Sequence, residues 1–256
     1  MLELKNIKKS FNPTGNPEDL IVALDDVSLT INDGEFVVVI GTNGSGKSTT
    51  MNIVTGAYLP DEGIITLNGQ DITKMREHQR AKFFGRVFQD PMMGTAGEMS
   101  VIENLEIAYR RGHIHSPIKW GFKKENKARF IEELKRFDLG IETKLNKKVG
   151  TMSGGQRQAL TLLMASLQKP DILLLDEHTA ALDPKTAKKV LELTDKIVKE
   201  NNMTTLMITH NMQDALKYGD RVVMFANGKI VFDVKGEEKK KLKTEDLLNL
   251  FLKEGE

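Results

Sequence analysis

Gly41-Thr42-Asn43-Gly44-Ser45-Gly46-Lys47-Ser48 is a glycine-rich run closed by a lysine and a hydroxyl residue, the spacing of a loop that cradles phosphates. Glycines at 41, 44 and 46 let successive backbone N–H groups turn inward on an anion. A helix opening through Ser48 and Thr49 adds the positive end of its dipole. Lys47 would reach the β- and γ-phosphates, and the Ser48 hydroxyl would bind Mg²⁺. A chance glycine-rich turn is the bland alternative, but the apolar strand Phe36–Ile40 before the loop and the helical start after it favour phosphate. A second pair with chemistry ends the apolar run Ile172–Leu175. Asp176 is placed to complete a Mg²⁺ site, and Glu177 to act as general base on an attacking water. Alone, two acids after an apolar strand mean little. Downstream of a phosphate loop they read as the carboxylates of a nucleoside triphosphatase.

Strands alternating with helices must position these residues. Leu2, Leu4 and Ile7 start a strand, and 12–17 is a loop by composition. Ile21–Ile31 and Glu35–Ile40 are β-rich runs that Asn32-Asp33-Gly34 is expected to join as a hairpin. Gly63–Leu67 with Asn68-Gly69 repeats that pattern, as do Arg221–Ala226 and Lys229–Val234 around Asn227-Gly228. From roughly 90 to 169 the spacing is helical, in Val101–Arg110, Lys123–Phe137 and Gln156–Gln168. Asp171–Leu175 and Thr204–Thr209 read as buried strands around a helix at Pro184–Glu200, and Asp246–Lys253 as an amphipathic helix packed on the core. The pattern predicts an α/β fold with a parallel core sheet interrupted by a helical insert.

Composition narrows the function. The chain has 256 residues, 39% hydrophobic and 29% charged, as suits one large globular domain or a domain with a grafted subdomain. It has no cysteine, so disulfides, thiolate metal sites and a cysteine nucleophile are excluded, and a reducing cytosol is expected. Thirty-seven basic against 36 acidic residues leave a net charge of +1, which gives no bulk field for nucleic acid or an anionic membrane. The longest apolar runs, Phe36–Ile40, Ile172–Leu175 and Val222–Ala226, fall far short of the roughly 20 residues of a spanning helix. Met1–Lys5 carries acid where a secretory signal needs an apolar core. His113 and His115 lack a third metal ligand nearby and read as a loop. Met92, Met93 and Met99 could form an adaptable docking groove or fill the core.

Thr151-Met152-Ser153-Gly154-Gly155-Gln156 resembles the signature motif of ATP-binding-cassette (ABC) ATPases, normally Leu-Ser-Gly-Gly-Gln. The rest of that family's set follows in order. Phe11 matches the aromatic that stacks on adenine, and Gln89 the Q-loop. Ala181-Leu182-Asp183 matches the D-loop, and His210 the switch histidine. The resemblance covers residues 1–235. It implies an α/β P-loop NTPase core of RecA-like type with an antiparallel β subdomain and an inserted α-helical subdomain. On that reading 1–90 and 170–235 form the core and β subdomain, 91–169 the helical subdomain, and 236–256 a short helical tail. Two departures stand out. Met152 replaces leucine, conservatively in volume. His178 replaces the proline that commonly follows the base; it invites a role in tuning Glu177, or that of a loop residue facing a partner subunit, with packing favoured.

The resemblance implies ATP and Mg²⁺ as cofactors, with Ser48, Gln89 and, through water, Asp176 serving the metal. Glu177, His210 and Gln89 would act in catalysis. Gly41 through Thr49 and Phe11 would bind nucleotide in one subunit, and Ser153, Gly154, Gly155 and Gln156 would close on the ATP of the other. This demands a head-to-tail dimer, homodimer or paired cassettes, with Asp183 signalling across it. Glu98–Leu105 looks like the matching segment of importers, and Asn146–Gly150 stands where exporters carry an acidic stretch. The expected partners are therefore transmembrane permease subunits and, indirectly, a solute-binding protein, and not nucleic acid. A permease helix is expected to dock between core and insert, near Met92, Met93 and the loop 109–122 with Trp120. The expected location is cytoplasmic, peripheral on the inner face of the membrane. Asp176–Asp183 resembles cassettes that accompany importers of amino-acid-like solutes, with aromatic ones as one option. The alternative is a non-transport cassette acting on a soluble scaffold or a cell-division complex. Scaffold-assembly cassettes tend to carry glutamate at the position of Gln156, which counts against them.

Overall fold

The computed structural model describes residues 1–111 and 124–254. His113, His115 and Trp120 lie outside them. In chain order the strands and helices are β1 (Leu2–Phe11), β2 (Ile21–Ile31), β3 (Phe36–Gly41), α1 (Lys47–Thr55), β4 (Glu62–Leu67), β5 (Gln70–Asp71), α2 (Glu77–Arg80), β6 (Phe84–Val87), α3 (Val101–Tyr109) and α4 (Lys124–Lys135). There follow α5 (Gly154–Ser166), β7 (Ile172–Asp176), α6 (Pro184–Asn201), β8 (Thr205–Ile208), α7 (Met212–Lys217), β9 (Arg221–Ala226), β10 (Lys229–Lys235), α8 (Gly236–Lys241) and α9 (Thr244–Glu254). These group into two compact units, 1–80 with 202–256, and 81–201. Among the described residues no helix is long and apolar enough to cross a membrane.

In the first unit β2–β1–β4–β5 form an antiparallel sheet, and β10–β9–β3–β8 lie side by side with β3 parallel to both its neighbours. Every residue of β3 is buried, which is why Phe36–Ile40 reads as one unbroken apolar run. β2 instead alternates through most of its length, because it has a wet face. The expected hairpin between the two is therefore not formed. Asn32–Gly34 hands the chain from one sheet to the other, pinned by Glu35 N–H to the Asn32 carbonyl (3.1 Å) and Gly34 N–H to Thr204 Oγ1 (2.9 Å). The two Asn-Gly hairpins do form. Asn68 and Gly69, and Asn227 and Gly228, all take the positive φ that a tight primed turn requires. At the tail, Leu247 of α9 is buried, and Lys239 of α8 donates to the carbonyls of Tyr218 and Gly219 just past α7.

In the second unit β6 and β7 run parallel, with Val87 opposite Leu175. The helical core is built from Val101 and Leu105 of α3, Phe130 and Leu134 of α4, and Leu160 and Leu163 of α5, all buried. Ser100 and Glu103 cap α3 reciprocally. α5 starts two residues earlier than its apolar spacing suggests, because Ser153 caps it, its Oγ accepting from Gln156 N–H.

Candidate functional site

The first unit carries the phosphate loop on the carboxyl end of β3. At Gly41 φ is +150°, and a Cβ there would lie 2.3 Å from the Phe225 carbonyl oxygen of β9, so no other residue fits. Lys47 opens α1 and is only 5% exposed. Its Nζ donates to the carbonyls of Gly41 (2.9 Å) and Thr42 (2.7 Å), which holds the charge at the loop instead of in solvent. Ser45 is buried with its Oγ unpartnered, a donor that a bound phosphate oxygen would satisfy. Asn43, Gly44 and Ser48 are exposed, and Thr42 and Thr49 half-buried. His210 leaves the same edge two residues past β8. Thr209 N–H bonds to the Val39 carbonyl at 3.1 Å, so histidine and loop emerge beside each other, where open α/β sheets bind ligands. Phe11 ends β1 half-buried, its ring edge-on to Tyr58 with centroids 5.2 Å apart.

In the second unit Gln89, Asp176 and Glu177 leave the carboxyl ends of β6 and β7, which the Val87–Leu175 register puts side by side. Asp176 is the last residue of β7, and its Oδ2 is 2.9 Å from Nη2 of Arg86 on β6. Glu177 has φ of +45°, a left-handed conformation unusual for a residue with a Cβ. Its carbonyl accepts from Ala180 N–H at 2.9 Å. His178 is 2% exposed and bonds through Nε2 to Thr194 Oγ1 of α6 at 3.1 Å. The packing reading of His178 is the one its position supports, and burial pushes its pKa down to about 4. The hydroxyl proton of Thr194 goes to the Val190 carbonyl (2.8 Å), so His178 donates and is the Nε2–H tautomer.

The signature residues sit at the start of α5. Ser153 and Gly154 are exposed, and Gly155 is buried where a Cβ would lie 2.1 Å from Thr186 Cγ2 of α6. Gln156 turns inward: its Nε2 donates to the Leu139 carbonyl (2.9 Å) and its Oε1 accepts from Lys144 (3.1 Å). Asp183 caps α6, accepting from Thr186 N–H at 3.1 Å, and bonds to Thr186 hold its carboxyl below the usual range. Spacing alone revealed neither Arg86 nor Thr194. The only signal for Arg86 was a cation between the buried strand residues Gly85 and Val87.

The metal candidates Ser48, Gln89 and Asp176 all offer oxygen, a hard donor set that suits Mg²⁺. Among the described residues no group of three or more His, Cys, Asp or Glu could hold a metal.

A strand–phosphate loop–helix at a parallel sheet edge, with a second buried strand ending in two acids, defines a P-loop NTPase of α/β class. The family model for ABC transporters matches residues 24–180, and the chain belongs to that family. It is similar to a tyrosine transport ATP-binding protein of Clostridioides difficile (strain R20291), 48% identical over 98% of both chains. A phosphonates import ATP-binding protein of Alcaligenes faecalis is 34% identical, over 91% of this chain and 82% of the relative. Among solved structures, the dimeric post-hydrolysis state of the cassette MJ0796 with ADP and Pi superposes with a TM-score of 0.79 at 30% identity, covering 92% of this chain and 98% of that one. The chain is thus a nucleotide-binding ATPase whose hydrolysis is coupled to transport.

Proposed function

We propose that this ATPase, which energises a membrane importer of small solutes, serves an importer of amino acids, with tyrosine the first solute to test. The phosphate loop, with Gly41 forced by the β9 backbone and Lys47 folded onto its own carbonyls, carries the ATPase reading. The 48% identity to a tyrosine transport ATP-binding protein supports the solute; at 34% identity the relative is already a phosphonates import protein.

In this reading Gly41 to Thr49 wrap the phosphates, Lys47 offsets their charge, and Phe11, braced by Tyr58, takes the adenine. Ser48, Gln89 and Asp176 would hold Mg²⁺, which when bound would neutralise charge developing on the β- and γ-phosphates. Glu177 accepts the proton of the attacking water, and His210 contacts the γ-phosphate. Ser153, Gly154 and Gly155 at the start of α5 present N–H donors to the nucleotide of a second subunit. Gln156 closes the same signature, its amide tied to Leu139 and Lys144. Asp183 links the two sites through the cap of α6. Residues 91–169 carry the signature as a helical subdomain, the rest of 1–235 supplies core and β subdomain, and 236–256 is a tail. A solute-binding protein would deliver the solute outside, and the ATPase would sit peripherally on the cytoplasmic face. Met92 and Met93, 39% and 70% exposed, offer apolar surface to a permease.

The test is reconstitution with the polytopic subunits and binding protein in proteoliposomes. ATP-dependent uptake of tyrosine and not of a phosphonate is expected. Phosphonate uptake without tyrosine uptake would overturn the solute, and failure of any membrane subunit to co-purify would overturn the importer. Met93→Ala should weaken that co-purification while basal ATPase stays within about twofold.

A further inference from the structure

We infer that Arg86 is a resident counter-ion of Asp176 that sets how strongly the nucleotide site takes up a divalent cation. The inference rests on the reading of Asp176 as the carboxylate serving Mg²⁺. Arg86 lies in β6 opposite Leu174 of β7, so the parallel register fixes its backbone two residues short of the carboxylate. Its guanidinium carbon lies 4.7 Å from the Phe88 ring centroid, and its Nη2 is 2.9 Å from Asp176 Oδ2. Both side chains are 16% exposed. Strand, ring and carboxylate thus hold one cation in one place.

Phe84, Gly85 and Val87 of β6 are buried and apolar, and Arg86 is the one charged residue of that strand. Where water is scarce, two opposite charges at contact interact strongly, and a cation already seated on a carboxylate weakens its pull on a second. The pair runs through Oδ2. Mg²⁺ keeps several of its waters, so a carboxylate that acts through water can serve it while Arg86 stays in place. The consequence is a site tuned to need more Mg²⁺ than a bare aspartate would, one that gains full strength only when nucleotide phosphates add their charge.

The readout is equilibrium binding of a fluorescent ATP analogue (methylanthraniloyl-ATP) to the full chain, titrated with Mg²⁺ at constant ionic strength. Arg86→Met should move the Mg²⁺ midpoint to lower concentration by roughly three- to tenfold, and Arg86→Lys, which keeps the charge, should stay within about twofold of wild type. A midpoint unchanged or raised in Arg86→Met would overturn the inference. Arg86→Gln gives the same reading if the methionine variant folds poorly, as judged by its melting curve. Asp176→Asn separates the two layers. If it leaves the midpoint where it was, the reading of Asp176 fails and the inference with it. If it shifts the midpoint and Arg86→Met does not, only the role of Arg86 is lost.

Discussion

Glu177, the proposed general base, has a left-handed backbone. A φ of +45° at a residue with a Cβ costs on the order of 1–3 kcal/mol and persists only where neighbours over-determine it. Two do so here: Ala180 N–H on the Glu177 carbonyl, and His178 buried against α6 through Thr194. Glu177→Gln should leave ATP affinity intact and lower turnover by about 10²–10⁴-fold, since only the base is lost. It should also trap an ATP-bound dimer on size exclusion; turnover within threefold of wild type would remove Glu177 from the role. His178 carries its own pH signature. Folded, it resists protonation until about pH 4, whereas the unfolded chain takes up that proton near its ordinary value. Its contribution to stability is therefore complete above about pH 6.5 and is lost as pH falls toward 4, on the order of 3 kcal/mol. Melting curves between pH 7 and 4.5 should show a shallower decline in His178→Gln; parallel curves would contradict it.

Among the elements, α1 depends on a residue far from its own sequence. Arg80, fully buried, donates to the carbonyls of Ile53 and Val54 in the last turn of α1, and to those of Thr73 and Met75. A cation at a helix C-terminus opposes the negative end of the dipole, and here it also ties the phosphate-loop helix to the segment after β5. Arg80→Met keeps the apolar bulk but strands four acceptors, two of them buried. The expected loss is about 3–5 kcal/mol, seen as a melting temperature lower by roughly 6–15 °C, with weaker nucleotide binding following from a loosened α1. A melting temperature within about 2 °C of wild type would show that water replaces the guanidinium. β3 and β7 share a pattern of burial: β3 is buried throughout, and β7 is buried up to its last residue, the half-buried Asp176.

For the whole molecule, the phosphate loop belongs to one compact unit and the signature to the other, and one solved relative of the chain is a dimer. Lys47→Ala should abolish nucleotide binding by the isolated chain, because the charge that offsets the phosphates is gone. Ser153→Arg should spare that binding and block ATP-induced dimerisation, since it puts a bulky charge in place of the exposed cap of α5 and leaves the phosphate loop unchanged. Titration calorimetry and size exclusion together decide it. Equal loss of binding in both variants would refute the two-surface arrangement.

What the sequence determined by itself is what local geometry enforces. The loop from Gly41 to Ser48, the Asn-Gly turns at 68–69 and 227–228, and the acids ending the apolar run at Asp176 each rest on residues adjacent in the chain, and each stands where spacing placed it. The apolar runs at Phe36–Ile40 and Ile172–Leu175 also revealed strands buried on both faces, since burial leaves no alternation to read. Tertiary structure alone decided partners. That β2 and β3 join different sheets, that Arg86 reaches an aspartate 90 residues on, that His178 answers Thr194, and that Gln156 turns to Leu139 all depend on which elements pack together. A charge or hydroxyl carries no mark of its partner. Burial removes water as a competitor and leaves only the groups that packing brings within reach.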